Sequence, residues 1–390
     1  NITLIKVFKM KTLIKVLTII IILTTNAYSE DNHKDHDHDN HDKDGFYGHL
    51  DVAIFADSMT KVANDGKYNE IYSHTHAEIG NRFSEKFSIN SNIKLEGGPD
   101  GNSHAHGGAL TPDGDDHGIN DHMLIFEELT LNYDTKKFSG YLGKFNPAVG
   151  LDYHNFPGMY GYQAIEEYGI KERVGLGGII RKNAGSFGTH ELNITSFAAD
   201  TSGLSDSIFF ERGHNSKQDS GVSNTENLSS YSASLSGSYP FSFKDNSFSK
   251  ELIYRIGYAD QAAGISDATD NTRYSASLIY KNKISKDLSS KFIFERMQID
   301  NLAGEDAHDR SHTTGGLGLE YQKWNFGTTY TYTDNDADEA DESFNGNIFQ
   351  SSVGYYLGSG VGLDFGYKSQ DKDNKTTERI GAGIKFSSEF

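Results

Sequence analysis

The chain has 390 residues, with 55 acidic against 36 basic side chains, a net charge of −19 and no cysteine. An acidic balance of this size argues against nucleic acid or an anionic lipid surface as partner, and the missing thiols exclude disulfides, thiolate metal sites and cysteine nucleophiles. Glycine (41), tyrosine (22) and phenylalanine (24) are plentiful and proline (5) is scarce, a mix that suits many strands joined by tight turns.

In chain order, the first methionine is Met10. Lys11 and Lys15 lead into an apolar run, Val16 to Leu23, broken only by Thr18, and the small-residue site Ala27-Tyr28-Ser29 follows. This is the order of an export signal, and the run is shorter than the ~20 residues of a spanning helix. Residues 1–29 are expected to be cleaved, with 1–9 as an upstream extension. The remainder keeps 32 basic and 55 acidic residues, a balance of −23, because four lysines precede Ser29. Segment 30–44 carries His33, His36, His38 and His41 among aspartates, has no apolar residue, and is expected to be disordered.

From Gly45 onward the pattern has period two. Trp324, Phe326, Thr328, Tyr330 and Tyr332 alternate with Asn325, Gly327, Thr329 and Thr331. Leu252, Tyr254, Ile256 and Tyr258 alternate with Ile253, Arg255 and Gly257. Sixteen such segments begin near Phe46, Ile71, Phe87, Ile125, Phe138, Val174, His190, Tyr231, Leu252, Arg273, Leu288, Thr314, Trp324, Ile348, Val361 and Thr377. One row is apolar and aromatic, the other polar or glycine. That predicts an all-β fold, a transmembrane antiparallel β-barrel of about sixteen strands, since backbone N–H and C=O groups in lipid must all pair within the sheet. The mean hydropathy of −0.58 fits, because only alternate residues would meet hydrocarbon.

The connectors alternate in length. Short ones (84–86, 134–137, 322–323, 358–360, with 240–250 the longest) separate long ones at 57–70, 97–122, 146–172, 200–228, 260–271, 299–311, 334–347 and 369–376. Tight turns at one rim and long loops at the other are expected of a barrel spanning a membrane.

Counting back from Phe390 by twos gives Ser388, Phe386, Ile384, Ala382 and Ile380. This resembles the closing strand of the bacterial outer-membrane porin superfamily, with Ser388 departing from the usual apolar residue. The resemblance implies residues 45–390 as one barrel in the outer membrane, short periplasmic turns, long external loops, and passive diffusion of small hydrophilic solutes. It implies outer-membrane lipid and the barrel-assembly machinery as partners, with Ile384, Phe386 and Phe390 as the assembly signal, and a homotrimer as the oligomeric state. By order, 146–172 is the counterpart of the loop that narrows the pore in that superfamily. Its Asp152, Glu166 and Glu167 are candidate constriction residues, facing candidate lumen arginines Arg173, Arg181, Arg255 and Arg296.

Segments 334–347 and 97–122 carry many aspartates and glutamates and no lysine or arginine, so a negative vestibule and a preference for cations are expected. His104, His106, His117 and His122 lie in the second of these, and His74 and His76 near the outer end of a strand. Imidazole with carboxylate suits Zn2+ or another divalent cation, so a metal-binding protein using His33, His36, His38, His41, His104, His106, His117 and His122 is the alternative reading. No cofactor is required by the channel reading. An enzyme is not expected, since nothing has the spacing of a nucleophile motif such as G-x-S-x-G.

Overall fold

The computed structural model describes residues 45–61, 69–97, 122–166, 168–209, 213–219, 221–241, 249–338, 343–372 and 375–390. The export signal, the 30–44 segment and most of the acidic loops lie outside the described residues. The strands are β1 (Gly45–Lys61), β2 (Asn69–Ser84), β3 (Phe87–Gly97), β4 (His122–Asp134), β5 (Phe138–Phe145), β6 (Arg173–Asn183) and β7 (Thr189–Ala199). There follow β8 (Ile208–Phe209), β9 (Ser230–Phe241), β10 (Lys250–Gln261), β11 (Asn271–Lys283), β12 (Leu288–Asp300) and β13 (Asp309–Tyr321). The last are β14 (Trp324–Asp336), β15 (Phe344–Gly358), β16 (Val361–Lys372) and β17 (Lys375–Glu389).

Neighbours in sequence pair antiparallel, and β17 pairs with β1 from His49↔Glu389 to Lys61↔Glu378, so the sheet closes. β7 pairs directly with β9, which leaves β8 out of the wall and makes the barrel sixteen-stranded. All sixteen predicted strands are present. β8 was not anticipated, and its cause is local. β5 has only eight residues and pairs with β4 from Leu129 to Asp134, so the upper edge of β4 is left open; Ile208 and Phe209 cover it at Leu124 and Met123.

Several strands run further than the alternation predicted. β13 begins at Asp309 rather than Thr314, and β16 and β17 stay paired up to Lys372↔Lys375. Beyond the apolar band both faces are polar, so the ladder continues without a period-two signature. The tight turn at 358–360 needs positive φ at three successive residues, and glycine at 358 and 360 supplies it at low cost.

Burial is inverted relative to a soluble protein. On β14, Trp324, Phe326, Tyr330 and Tyr332 are exposed while Thr329, Thr331, Thr333 and Asn335 are buried. Phe292 and Phe294 on β12, Phe365 on β16, and Ile380 and Ile384 on β17 continue the outward apolar row. That band is what a barrel offers to hydrocarbon.

Ile384 and Phe390 stand on this outward row. Phe390 and Gly48 exchange backbone hydrogen bonds of 2.9 and 3.0 Å, and a Cβ at position 48 would collide with the Phe390 ring. Removing Phe390 deletes both bonds and the ring that lies over Gly48. Refolding of the shortened chain into detergent is expected to give less of the heat-modifiable, compact form on unheated gels, with the wild-type yield as reference.

Candidate functional site in the barrel lumen

After β5 the chain leaves the wall, and segment 146–172 runs through the barrel interior. Asp152 opens a single turn of 3-10 helix, Tyr153–Asn155, by accepting from the His154 N–H at 2.8 Å, and a short helix α1 (Gln163–Glu166) follows. Backbone polar groups removed from water cost roughly 1–3 kcal/mol each when unmatched, so such a path needs partners. The barrel supplies them from its inward rows. Ser275 donates to the carbonyl of Val149 at 2.7 Å, Arg255 to that of Gly150 at 2.9 Å, and Gln350 to that of Pro157 at 2.8 Å. The N–H of Leu151 donates to Glu295 at 2.6 Å and that of Met159 to Ser352 at 2.9 Å, while Arg273 donates to the carbonyl of Tyr168.

Side chains add to the seat. Tyr168 donates to Glu295 at 2.7 Å, and Tyr160 to Asp57 at 2.8 Å; Arg379 bridges Asp57 and Glu70. Val149, Leu151, Phe156, Ile165, Tyr168 and Ile170 pack on Ala259, Ile279, Ile293, Met297 and Ile299, an apolar patch on the inward faces of β10 to β12. Glycines make room: a Cβ at Gly257 would strike the Val149 carbonyl, one at Gly327 the Gly158 backbone, and one at Gly381 the Tyr160 hydroxyl. The base of the segment is tied at Lys144, which is buried and meets Glu172 at 2.8 Å and Asp200 at 2.9 Å. A bulge opposite Asn92/Ile93 adds a residue to β4 at Glu127; Glu127 pairs with Lys94 at 2.7 Å, and Glu128 accepts from the Asn146 N–H.

The sequence-predicted site residues scatter. Asp152 holds His154, with carboxyl oxygen and Nδ1 at 2.7 Å, and Arg255 lies by the same stretch of chain. Arg173 and Arg273 line the loop-rim part of the lumen, where Arg173 donates to the Lys171 carbonyl. Arg181 is far off at the turn rim, paired with Glu191 at 2.7 Å. Arg296 is a correction: its neighbours Ile293, Glu295 and Met297 mark the inward row, while Arg296 is exposed on the outward row and donates to Thr313. The side chain of Glu166 and all of Glu167 lie outside the described residues, as do His33, His36, His38, His41, His104, His106 and His117. His122 is buried and its Nε2 accepts from the Ser73 N–H at 2.8 Å, so that nitrogen is already engaged.

What the structure gathers instead is a ring-lined cavity of about 260 Å³ between segment 146–172 and the inward faces of β1, β2 and β17. His74, His76, Tyr153, His154 and Tyr162 form its ring wall, with Asp51 and Lys385 also lining it. His74 stacks on Tyr162, and the rings of His76 and His154 are 5.4 Å apart. The signal for this cluster was present as His-x-His on an alternating strand and as Asp152-Tyr153-His154. Neither indicated that the two would meet.

Burial works to raise the Asp152 carboxyl, but the His154 hydrogen bond prevails and holds it below its ordinary 3.8; burial likewise opposes the His154 imidazolium, but Asp152 holds it above its ordinary 6.5. The contribution of His154 to stability is therefore complete below pH 6.5 and is lost as pH rises through its raised value. That of Asp152 is complete above 3.8 and is lost as pH falls through its lowered one. The pair is tightest between these limits.

No family model matches the chain, and no curated protein matches it. Among solved structures, OprB of Pseudomonas putida, in a high-pH structure, superposes with a TM-score of 0.57 at 10% identity over 89% of this chain and 94% of that one. The chain has the fold of an outer-membrane porin. OccK2 of Pseudomonas aeruginosa (TM-score 0.48, 10% identity, 88% and 98% covered) and the outer membrane channel DcaP of Acinetobacter baumannii (0.48, 11%, 88% and 96%) also match.

Two outcomes follow for this porin fold. Gly327→Val forces the Gly158 backbone away from β14, an overpacking cost of roughly 1–3 kcal/mol, so segment 146–172 should be cut faster by protease while the barrel itself stays folded. In an NMR titration, the His154 imidazole should have its midpoint above 6.5, and Asp152→Asn should bring it below.

Proposed function

We propose that the chain is an outer-membrane channel for passive diffusion of small hydrophilic solutes, with a preference for cations. The observation that carries it is a closed barrel with an apolar outside, whose polar lumen is narrowed by segment 146–172. Three arginines that could favour anions are engaged with this segment: Arg255, Arg273 and Arg173 donate to its carbonyls. Lys385, the lysine lining the cavity, pairs with Asp364 at 2.8 Å. Acidic loop sequences at the long-loop rim would raise the local cation concentration within about 8 Å at physiological salt. Arg255 of β10 donates to the Gly150 carbonyl, two residues from Asp152, rather than facing it across open lumen, so charge selection in this reading comes from the vestibule and cavity more than from a field across the lumen. Lipid meets the outward row, and a homotrimer is the assembly that the porin likeness suggests.

Purified protein in planar bilayers should give stable open steps, and in a KCl gradient the reversal potential should have the cation sign and shrink at high salt. An absence of steps, or a reversal of anion sign, would sink the reading.

A further inference from the structure

We propose that His74 and His76 form a two-histidine station for a divalent transition cation of the zinc or copper class on the wall of the cavity. The access of the cation rests on the channel reading; the coordination does not. The two residues are two apart on β2, so both side chains point inward, and their Nε2 atoms lie 3.0 Å apart. Only one proton fits between them, one ring donating and the other accepting. A divalent cation can take the place of that proton: with metal–nitrogen bonds of 2.0–2.1 Å, two tetrahedral ligands stand about 3.3 Å apart, a small outward adjustment.

His74 Nδ1, the nitrogen turned away from the pair, lies 3.7 Å from a Glu96 carboxylate oxygen, and the Tyr153 hydroxyl lies against the His76 ring, 3.3 Å from Nδ1 and 3.5 Å from Nε2. A carboxylate behind an imidazole is the arrangement that fixes the ring and raises its basicity as a ligand. Two ammonium groups, Lys94 and Lys171, lie over the Tyr153 ring at 4.7 and 5.7 Å, and Lys94 does not stand alone against a cation, because Glu127 meets it at 2.7 Å. His154 is close by ring contact, but its Nδ1 is held by Asp152. Among the described residues no three histidine or carboxylate side chains converge on one point, so water completes the coordination. Two protein ligands make a weak site, and weak binding is what a conducting pore requires, since an ion must also leave. Imidazole nitrogen disfavours Mg2+ and Ca2+, which take oxygen ligands.

The test compares wild-type protein in detergent with the double variant His74→Asn, His76→Asn, both shown folded by heat-modifiability. Because the chain has other histidines, and an exposed imidazole is a zinc ligand in its own right, the readout is a difference. Calorimetric titration with ZnCl2 should lose one site per chain in the double variant. In bilayers, Zn2+ should lower the conductance of wild type reversibly, at a concentration about tenfold or more below that needed for the variant, and Mg2+ should do neither. Glu96→Gln, which keeps both ligands, should weaken the site by about 10–100-fold, and it decides the matter if the double variant does not fold. Unchanged stoichiometry and an unchanged Zn2+ response would overturn the proposal. Should wild type show no conductance while the calorimetric difference persists, the channel reading fails and the metal station stands.

Discussion

The interior of this barrel depends on one exchange: the backbone polar groups of segment 146–172, taken out of bulk water, are met by side chains from the inward rows of the wall. A coil crossing a lumen has no ladder of its own, so each of its amides and carbonyls needs a partner from elsewhere. Ser275, Arg255, Gln350, Glu295, Ser352 and Arg273 are those partners, drawn from β10, β11, β12 and β15. This explains why the inward rows are polar where they touch the segment's backbone and apolar where they touch Val149, Leu151 and Ile170. The wall is matched to a particular chain path rather than being uniformly hydrophilic.

The same match sets the electrostatics. A buried guanidinium with no carboxylate is costly, but one that donates to a carbonyl recovers much of that cost and at the same time fixes the loop. Arg273 is used in this way; Arg255, half-buried, donates to Gly150 while standing near the Asp152 and Glu295 carboxylates. On the opposite side Asp57 and Glu70 share Arg379, and Asp57 also accepts from Tyr160, so one guanidinium serves two carboxylates within one network. What remains beside the cavity is mostly aromatic rings and imidazoles.

The wall was legible in the sequence because a strand with one face in lipid and one in water must alternate, and alternation is visible residue by residue. Trp324 to Tyr332 shows it on β14, and Ile380 to Phe390 on β17. The rims were less legible, since Asp371 and Thr376 pair in the ladder with polar residues on both faces. Arg296 stands where alternation alone points the wrong way. Its row is fixed by Ile293 and Met297 being the inward residues, yet these look like lipid-facing side chains until the apolar face of segment 146–172 is there to cover them. The site was largely hidden for the same reason: His76 and Tyr153 are 77 positions apart and meet only because the segment folds inward.

That inward fold also accounts for where the imidazoles gather. The hydrophobic and hydrogen-bonded seat of segment 146–172 lies mainly on β10 to β15, so the segment's Tyr153–His154 turn faces the other way, toward β2. There the inward row offers Tyr72, His74 and His76 in place of glycine; Tyr72 packs on the Phe55, Met159 and Tyr160 cluster, and His74 stacks on Tyr162 beside the cavity. The cavity is thus left between two surfaces that both carry histidine and tyrosine. Groups on both sides of a gap can act on whatever passes through it, whereas groups beneath the seat cannot.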